Sequence, residues 1–421
     1  MLGKKLYYFF QYFWKVPFLV QYWGAEEFKA IGRAIFMGKV VKGPDTEMFV
    51  QRFCNLIGVK YGIPTNLARS AIEMPLHALG SGEGDEVILP AFGCKGTVMP
   101  VINAGYKPVF ADIEEDFNIA PKSVKAHITG KTKAVIVPNL SGKPAKIVEI
   151  REITQKRGIL LIEDACQATG GRHNGQYLGT FGDVGVFSFG MGKNMMATGG
   201  GIVVTNSEDL YRTMKNIELE DEKWFDVLRK VKFYILTMFL RKYTAPYFLI
   251  LNRIRTKLSF LKPNFFDNYY GDYKLLNMSN LDASILLIQL RKLSEIIARR
   301  RANAQILCQL LSDVEELKIP MFDNEHIFTK FIITLEKEKK SKDSKMSKEA
   351  SGLSRFLRHR SIEPEATYTP LHIRDGLTQY ANGNLPVSES LYWRSFTLPV
   401  QPNLTQKDMI LLTFSSLITE N

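Results

Sequence analysis

Three side chains that could work together follow two short apolar runs of the sequence. Asp164 ends the run ILLIED, Ser188 lies at the end of VGVFSF, and Lys193 follows in the glycine-rich stretch SFGMGKNMMATGGG. A lysine amine can form an imine with an aldehyde, and a carboxylate can keep a pyridine nitrogen protonated. A serine hydroxyl and nearby backbone N–H groups can bind a phosphate.

These are the groups that pyridoxal 5'-phosphate (PLP) requires, and the pattern favours a PLP site. The spacing alone leaves a structural alternative open, because many strands end in Asp and many glycine loops carry a lysine. A P-loop is excluded, since Phe187 stands at the position of its first glycine and Asn194 replaces the final Ser/Thr. The six histidines show no HExxH or HxH spacing, so no metal site is expected.

The elements that must position these residues alternate between helix and strand. Apolar runs of strand length, rich in β-branched or aromatic residues, cover 86–90, 107–112, 133–138, 159–164, 184–189 and 201–205. Helical patterns cover 25–38, 45–57, 67–79, 145–157 and 278–315. The alternation predicts an α/β fold with a mostly parallel sheet covered on both faces. Ligands of such sheets bind beyond the carboxyl ends of the strands, where Asp164 and Ser188 stand.

Composition indicates a globular protein with a polyanionic partner. The chain has 421 residues, is 45% hydrophobic and 23% charged, and carries a formal net charge of +12. The basic residues form no known nucleic-acid-binding module, so nucleic acid is not expected as a partner. The cysteines lie far apart at Cys54, Cys94, Cys166 and Cys308. With no CxxC pair among them, a reducing cytosol is the expected compartment.

Two segments favour contact with an anionic membrane. Residues 1–23 are rich in aromatics but lack a cleavage site, and polar residues interrupt them too often for a membrane span. Residues 227–266 contain no acidic side chain and place Lys and Arg around apolar runs such as FYILTMFL. Both patterns are typical of segments that lie in the headgroup zone. An ordinary core helical hairpin with solvated basic flanks is the alternative for the second segment.

Eight ordered motifs carry a resemblance to a known family. They are GDEVILPAF (84–92), AGYKPVFADI (104–113), EDACQATGG (163–171), GTFGDVGVFSFGMGK (179–193), TGGGIVVTN (198–206), SNLDASILLIQLRKL (279–293), YTPLH (368–372) and LPV (398–400). In this order and spacing the chain resembles the DegT/DnrJ/StrS sugar aminotransferases, PLP enzymes of the aspartate-aminotransferase-like fold type I. The resemblance covers roughly residues 25–215 and 275–421.

The resemblance implies a division of the chain. An aromatic arm (1–24) precedes a large PLP-binding domain (25–289) with a seven-stranded type of sheet. The basic and aromatic insertion at about 223–270 interrupts this domain. A smaller C-terminal α+β domain (290–421) follows.

The resemblance also implies roles for matching residues. Lys193 would form the Schiff base and shuttle the proton, with an ammonium pKa lowered by imine formation and burial. Asp164 would face the pyridine nitrogen, Gln167 the cofactor ring or its 3-hydroxyl, and Ser188 the phosphate.

The resemblance makes five further positions candidates. Arg69 and Ser70 replace residues of the family's phosphate-binding turn at a helix start. Cys94 aligns where an aromatic ring normally stacks on PLP, with Phe92 two residues earlier. Asn139 and His372 are substrate candidates, and for His372 a structural role is equally open.

The function that follows is transfer of an amino group from an amino acid, glutamate by resemblance, to a keto-sugar. The sugar would be nucleotide-linked and destined for a cell-surface glycan or a related product. Because some relatives carry histidine at the lysine position and are dehydratases, Lys193 favours transamination. A homodimer in the cytoplasm, peripheral at the inner face of the membrane, is expected. The alternatives are a PLP enzyme acting on a lipid-linked or non-sugar substrate, and a non-catalytic membrane-associated member of the family.

Overall fold

The computed structural model describes residues 21–243, 273–336 and 365–410. The helices in these ranges are α1 Ala25–Phe36, α2 Pro44–Ile57, α3 Ala68–Leu79, α4 Lys95–Asn103, α5 Pro121–His127, α6 Ile147–Gln155, α7 Glu208–Lys215, α8 Trp224–Tyr243, α9 Asn280–Leu311, α10 Pro386–Arg394 and α11 Gln406–Ile410. Short 3-10 turns cover Leu140–Gly142, Leu371–Ile373 and Thr378–Tyr380.

The strands fall into one large sheet, one smaller sheet and a hairpin. They are β1 Tyr61–Thr65, β2 Glu86–Pro90, β3 Lys107–Ala111, β4 Thr132–Pro138, β5 Leu160–Asp164, β6 Arg172–His173, β7 Gln176–Tyr177, β8 Val184–Ser188, β9 Gly201–Thr205, β10 Leu317–Lys318, β11 Phe331–Leu335, β12 Glu365–Ala366 and β13 Ser395–Leu398. The predicted strand runs agree with β2, β3, β4, β5, β8 and β9 to within about a residue at each end.

The large sheet has seven strands in the order β1-β9-β8-β5-β4-β2-β3. Strand β9 runs antiparallel to both of its neighbours, and the remaining neighbours pair in parallel. Every residue of β2, β5, β8 and β9 is buried. Alternate residues enter two hydrophobic clusters, as Leu161 and Ile162 do, because successive side chains of a strand point to opposite faces. The predicted α/β sheet covered on both faces is therefore confirmed.

The long helix α9 connects the large sheet to the smaller one. Near its start, Leu281 and Leu286 pack into the core of the large sheet. Near its end, Leu307 and Leu311 pack against the smaller sheet, whose order is β10-β11-β13-β12. Ser279 caps the helix by accepting a hydrogen bond from the Asp282 N–H. One helix thus packs against both the mostly parallel large sheet and the antiparallel smaller sheet.

Several sequence-based predictions fall outside the described residues. They concern residues 1–20 of the aromatic arm and residues 244–270 of the insertion. Among the described helices, none combines the length and apolar content that crossing a bilayer needs.

Candidate active site

The carboxyl end of β5 supplies a fixed carboxylate. Asp164 is the last residue of the strand and is only 7% exposed. Its Oδ1 accepts a hydrogen bond of 3.0 Å from the backbone N–H of Cys166, and its carbonyl accepts one from the N–H of Asn139. The loops that follow β4 and β5 therefore hold Asp164 at the carboxyl end of its strand.

Lys193 lies five residues beyond the end of β8, next to Gly192 in a left-handed conformation (φ 83°). Its side chain is half-buried. Burial lowers the pKa of Lys193, but the electrostatic interactions with Cys166, Tyr368, Asp164 and Cys94 together raise it by more. The net direction is upward for the amine without cofactor. The lowering of the pKa by imine formation stays a prediction.

Gln167 is held from two sides. Its Oε1 accepts a hydrogen bond of 3.0 Å from the Ser141 N–H, and its Nε2 donates one of 3.2 Å to the Tyr368 hydroxyl. Its backbone carbonyl also accepts a hydrogen bond from the hydroxyl of Thr329. The side chain is therefore fixed between the turn after β4 and the segment that follows β12.

The start of α3 has the features of an anion-binding helix terminus. The residue before the helix is Leu67, whose side chain cannot cap the first N–H groups. Arg69 is buried, with its guanidinium 4.7 Å from the centre of the Tyr273 ring, and the Ser70 hydroxyl donates to Asn66 Oδ1 at 2.9 Å. The first turn of α3 contains no acidic residue. A phosphate bound here would therefore meet the positive end of the helix dipole without a competing carboxylate.

Close packing brings this helix start to the end of β8. Ser188 pairs with Gly201 across β8 and β9. A Cβ on Gly201 would lie 2.6 Å from the Ala68 nitrogen, so only glycine allows this approach. The Gly200 N–H donates to the Asn66 carbonyl at 2.6 Å. Ser188 and the start of α3 are thus neighbours, although about 120 residues separate them in the sequence.

Cys94 and Phe92, the two candidates for covering the cofactor ring, lie in different surroundings. Cys94 caps α4, with its Sγ accepting from the Gly96 N–H at 3.3 Å, and it is among the groups that raise the pKa of Lys193. Phe92 is fully buried against Phe117 and Tyr368, so it packs in the core.

The side chains of both substrate candidates contact other residues of the protein. Asn139 is fully buried and bonds Glu163 Oε1 through Nδ2 (2.8 Å) and the Ala145 N–H through Oδ1 (2.9 Å). This geometry favours a structural role for Asn139. His372 is 3% exposed, and its Nε2 lies 3.0 Å from Glu389 on α10.

Two site residues escaped the sequence analysis. Tyr368 accepts a hydrogen bond from Gln167 and is among the groups that raise the pKa of Lys193. Its position at the start of the YTPLH motif could have identified it from the sequence. Glu163 is fully buried and accepts hydrogen bonds from Asn139 and from the N–H groups of Phe181 and Gly182. A glutamate inside an otherwise apolar strand was the signal for that second residue.

Comparison with known proteins decides the family. The model of the DegT/DnrJ/EryC1/StrS aminotransferase family matches residues 21–230 and 259–412. The chain belongs to this family. Its members are PLP-dependent aminotransferases, and the chain is one of them, so the predictions of family, enzyme class and cofactor are confirmed. The family model leaves residues 231–258 unmatched, and these lie inside the insertion predicted from charge pattern.

Solved structures share the fold over nearly the whole chain. Helicobacter pylori PseC, an aminotransferase involved in the biosynthesis of pseudoaminic acid, is 21% identical with a TM-score of 0.74 and covers 94% of this chain and 96% of its own. DesV of S. venezuelae is 26% identical with a TM-score of 0.71 and covers 92% of each chain. GDP-4-keto-6-deoxy-D-mannose-3-dehydratase of E. coli, with bound hydrated PLP, is 22% identical with a TM-score of 0.72, covering 94% of this chain and 97% of that one.

The residues present fit the family's cofactor. The sheet edge offers an amine at Lys193, a fixed carboxylate at Asp164 and a helix start without a side-chain cap at Ala68. When bound, PLP supplies an aldehyde that carries the amino group and a ring that withdraws electrons. Asp164 would hold the proton on the ring nitrogen, and Lys193 would move protons at the reacting carbon.

Proposed function

We propose that the enzyme transfers an amino group from glutamate to a ketone of a nucleotide-linked sugar, for the synthesis of a cell-surface glycan. The proposal rests mainly on where the candidate residues lie. Lys193, Asp164 and Gln167 come together with the start of α3 at the carboxyl ends of β5 and β8. Membership of a sugar aminotransferase family supports a keto-sugar as the acceptor.

Each side chain has a separate task in this proposal. Lys193 binds the cofactor covalently and then acts as acid and base. Asp164 keeps the ring nitrogen protonated, and Gln167 contacts the ring edge. Arg69, Ser70 and Ser188 surround the phosphate, with Cys94 beside the ring. Retention of lysine at position 193 favours amino transfer over the dehydration that the E. coli neighbour is named for.

We further propose that the enzyme is a homodimer that works in the cytoplasm at the inner membrane face. An exposed aromatic-basic patch at the start of α8 supports membrane contact. Its members are Lys223, Trp224, Phe225, Arg229 and Lys232. Trp224 is 62% exposed and Phe225 50% exposed, which is unusual for rings of this size. Aromatic and basic side chains together suit an anionic lipid surface.

A lipid-linked keto-sugar is the second candidate substrate. The same patch favours it, because a substrate anchored in the bilayer would need the enzyme at the lipid surface. The two candidates share the keto group and differ in what carries it.

The decisive experiment is chemical fixation of the cofactor. Wild-type protein incubated with PLP and reduced with borohydride should gain the cofactor mass on the peptide that contains Lys193. The Lys193→Ala variant should not gain it and should lose amino transfer at least about 10³-fold. A wild-type peptide that stays unmodified would refute the proposed chemistry. Nucleotide-linked and polyprenyl-linked keto-sugars assayed side by side, with glutamate as donor, then separate the two substrates.

A further inference from the structure

The four residues Met196–Gly199 follow Lys193 closely and take no part in the proposed chemistry. Side chains from distant parts of the chain hold this segment. The indole N–H of Trp23 donates to the Met196 carbonyl at 2.8 Å, and the Met196 N–H donates to Gln289 Oε1 at 3.3 Å. Both peptide groups of Met196 are therefore fixed from outside the loop.

Thr198 is tied into a buried charge cluster. Its N–H and its hydroxyl both donate to Asp282 Oδ1, at 2.8 and 2.6 Å. The other oxygen of Asp282 lies 3.6 Å from the ammonium of Lys230, which also bonds Glu222 at 2.7 Å. Asp282 is 1% exposed, so Lys230 supplies the countercharge that this buried carboxylate needs. A Cβ on Gly199 would lie 3.4 Å from the same ammonium.

Helix α8 joins the two sets of contacts. Tyr234 stands one turn after Lys230 on α8 and is 5% exposed. The ring of Trp23 stacks on that of Tyr234, with centroids 6.0 Å apart and planes inclined by 17°. Trp23, Lys230 and Tyr234 therefore form one continuous support under residues 196–199, which we name the α8 brace.

We propose that the α8 brace positions Lys193, with Lys230 and Trp23 as positioning residues for the reaction. Three peptide bonds separate Lys193 from Met196, so a shift of residues 196–199 moves the amine relative to Asp164. Reactions that depend on orientation lose rate steeply when a reacting group is displaced by about 1 Å. This inference rests on the proposed function only in that Lys193 carries the cofactor.

Three variants each remove one contact of the brace or of the segment 196–199 that it supports. Trp23→Phe removes the bond to Met196 and keeps a ring against Tyr234. Thr198→Val removes one bond to Asp282 and leaves the buried charges untouched. Lys230→Met removes the countercharge, and Lys230→Arg restores it. Lys107→Met is the matched control, because Lys107 also pairs with a buried carboxylate, Glu86 (3.3 Å), but at the opposite edge of the sheet.

The first measurement is amide hydrogen exchange of residues 190–201 in protein free of cofactor. We expect exchange at least about tenfold faster in Trp23→Phe, Thr198→Val and Lys230→Met than in wild type, and unchanged rates in Lys230→Arg and Lys107→Met. Because no cofactor is involved, this result stands even if the proposed chemistry fails.

The second measurement is the pH midpoint of the absorption band of the bound cofactor, together with kcat. We expect the midpoint to move and kcat to fall about tenfold or more in the three brace variants, with KM for the sugar little changed. Variants that lower the melting temperature while leaving exchange at 190–201 and the midpoint as in wild type would overturn the inference. Wild-type protein that fixes no cofactor on Lys193 would count against the proposed function alone.

Discussion

Glu163 and Asp164 are adjacent carboxylates with different surroundings. Strand geometry turns them to opposite faces of the sheet. Glu163 is fully enclosed, and burial raises its pKa while hydrogen bonds from Asn139, Phe181 and Gly182 oppose that rise. Glu163 thereby fixes the residue after β4 and the turn before β8, and the proposed cofactor contact belongs to Asp164 on the other face.

A buried histidine gives a prediction at the residue scale. His326 is 3% exposed, its Nε2 bonds the Ser141 carbonyl at 3.2 Å, and its ring stacks on Phe328. Burial lowers the pKa of His326 to about 4, with Lys143 and Arg301 lowering it further and Asp323 opposing them. As the pH falls below 6.5 the unfolded chain therefore binds a proton that the folded chain refuses.

The stability linked to His326 is complete above pH 6.5 and lost as the pH falls toward 4. The loss amounts to about 3 kcal/mol, from the difference between the two pKa values. In His326→Gln, which keeps a donor for the Ser141 carbonyl, the urea midpoint should fall less between pH 7 and 4.5 than in wild type. Parallel curves for the two proteins would contradict this assignment.

At the residue scale, the sequence predicted what linear spacing encodes. Lys193, Asp164 and Ser188 lie within 30 residues of one another, and their residue types and spacing together with the family resemblance made them candidates. Tyr368 reaches Gln167 from about 200 residues away, and the two share no local pattern. Asn139 has the type of a substrate ligand, but only the structure shows that Glu163 and Ala145 occupy its amide.

Helix α3 and strand β9 approach each other more closely than any side chain permits. The Cβ of an alanine at position 201 would meet Ala68 and Leu67 backbone atoms at 2.6 to 2.7 Å. Gly201→Ala should therefore push the start of α3 away from Ser188. We expect a loss of stability of about 1–3 kcal/mol and at least about tenfold weaker PLP binding, measured by urea unfolding and by cofactor titration.

Gly130→Ala is the control for this prediction. A Cβ at Gly130 would have no atom within 4 Å, and this glycine does not adopt a left-handed conformation. It should bind PLP as wild type does. If Gly201→Ala also bound PLP normally, the start of α3 would not be part of the phosphate site.

Among the strands of the large sheet, six were predictable from the sequence, and the edge strand β1 was not. Strands β2, β4, β5 and β8 lie inside the sheet and read as continuous apolar runs. Strand β1 (YGIPT) contains Gly62 and Pro64, which is tolerable because it lies at the sheet edge. Its place is set by pairing with β9, so the local sequence carries little signal.

The α8 region shows how a pattern can have two causes. Its apolar residues suggested a surface helix for lipid, with a core helix as the alternative. In the structure Val227 and Val231 pack into the main core, while Trp224 and Phe225 stay exposed. One side of the first turns is therefore core, and the exposed side is the one on which the proposed lipid contact depends.

For the whole molecule, the family fold accounts for the catalytic edge but not for the excess positive charge. Residues 231–258, which the family model does not match, contain six Lys or Arg and no Asp or Glu. In the sequence, these residues overlap and follow the exposed patch at residues 223–232. A basic residue near an anionic surface contributes about 1 kcal/mol, so this charge supports the proposed reversible binding to a membrane.

We therefore expect the protein to bind vesicles that contain phosphatidylserine and to ignore vesicles of phosphatidylcholine alone. Binding should weaken as the salt concentration rises from about 0.05 M to about 0.5 M, because the Debye length shortens and the charges are screened. A variant with Trp224→Ser and Phe225→Ser should bind more weakly at every salt concentration. Replacing the six basic residues of 231–258 with Gln should remove most of the salt dependence. If cosedimentation of both variants equalled that of wild type, the patch and the insertion would not be the anchor, and residues 1–23 would have to supply it.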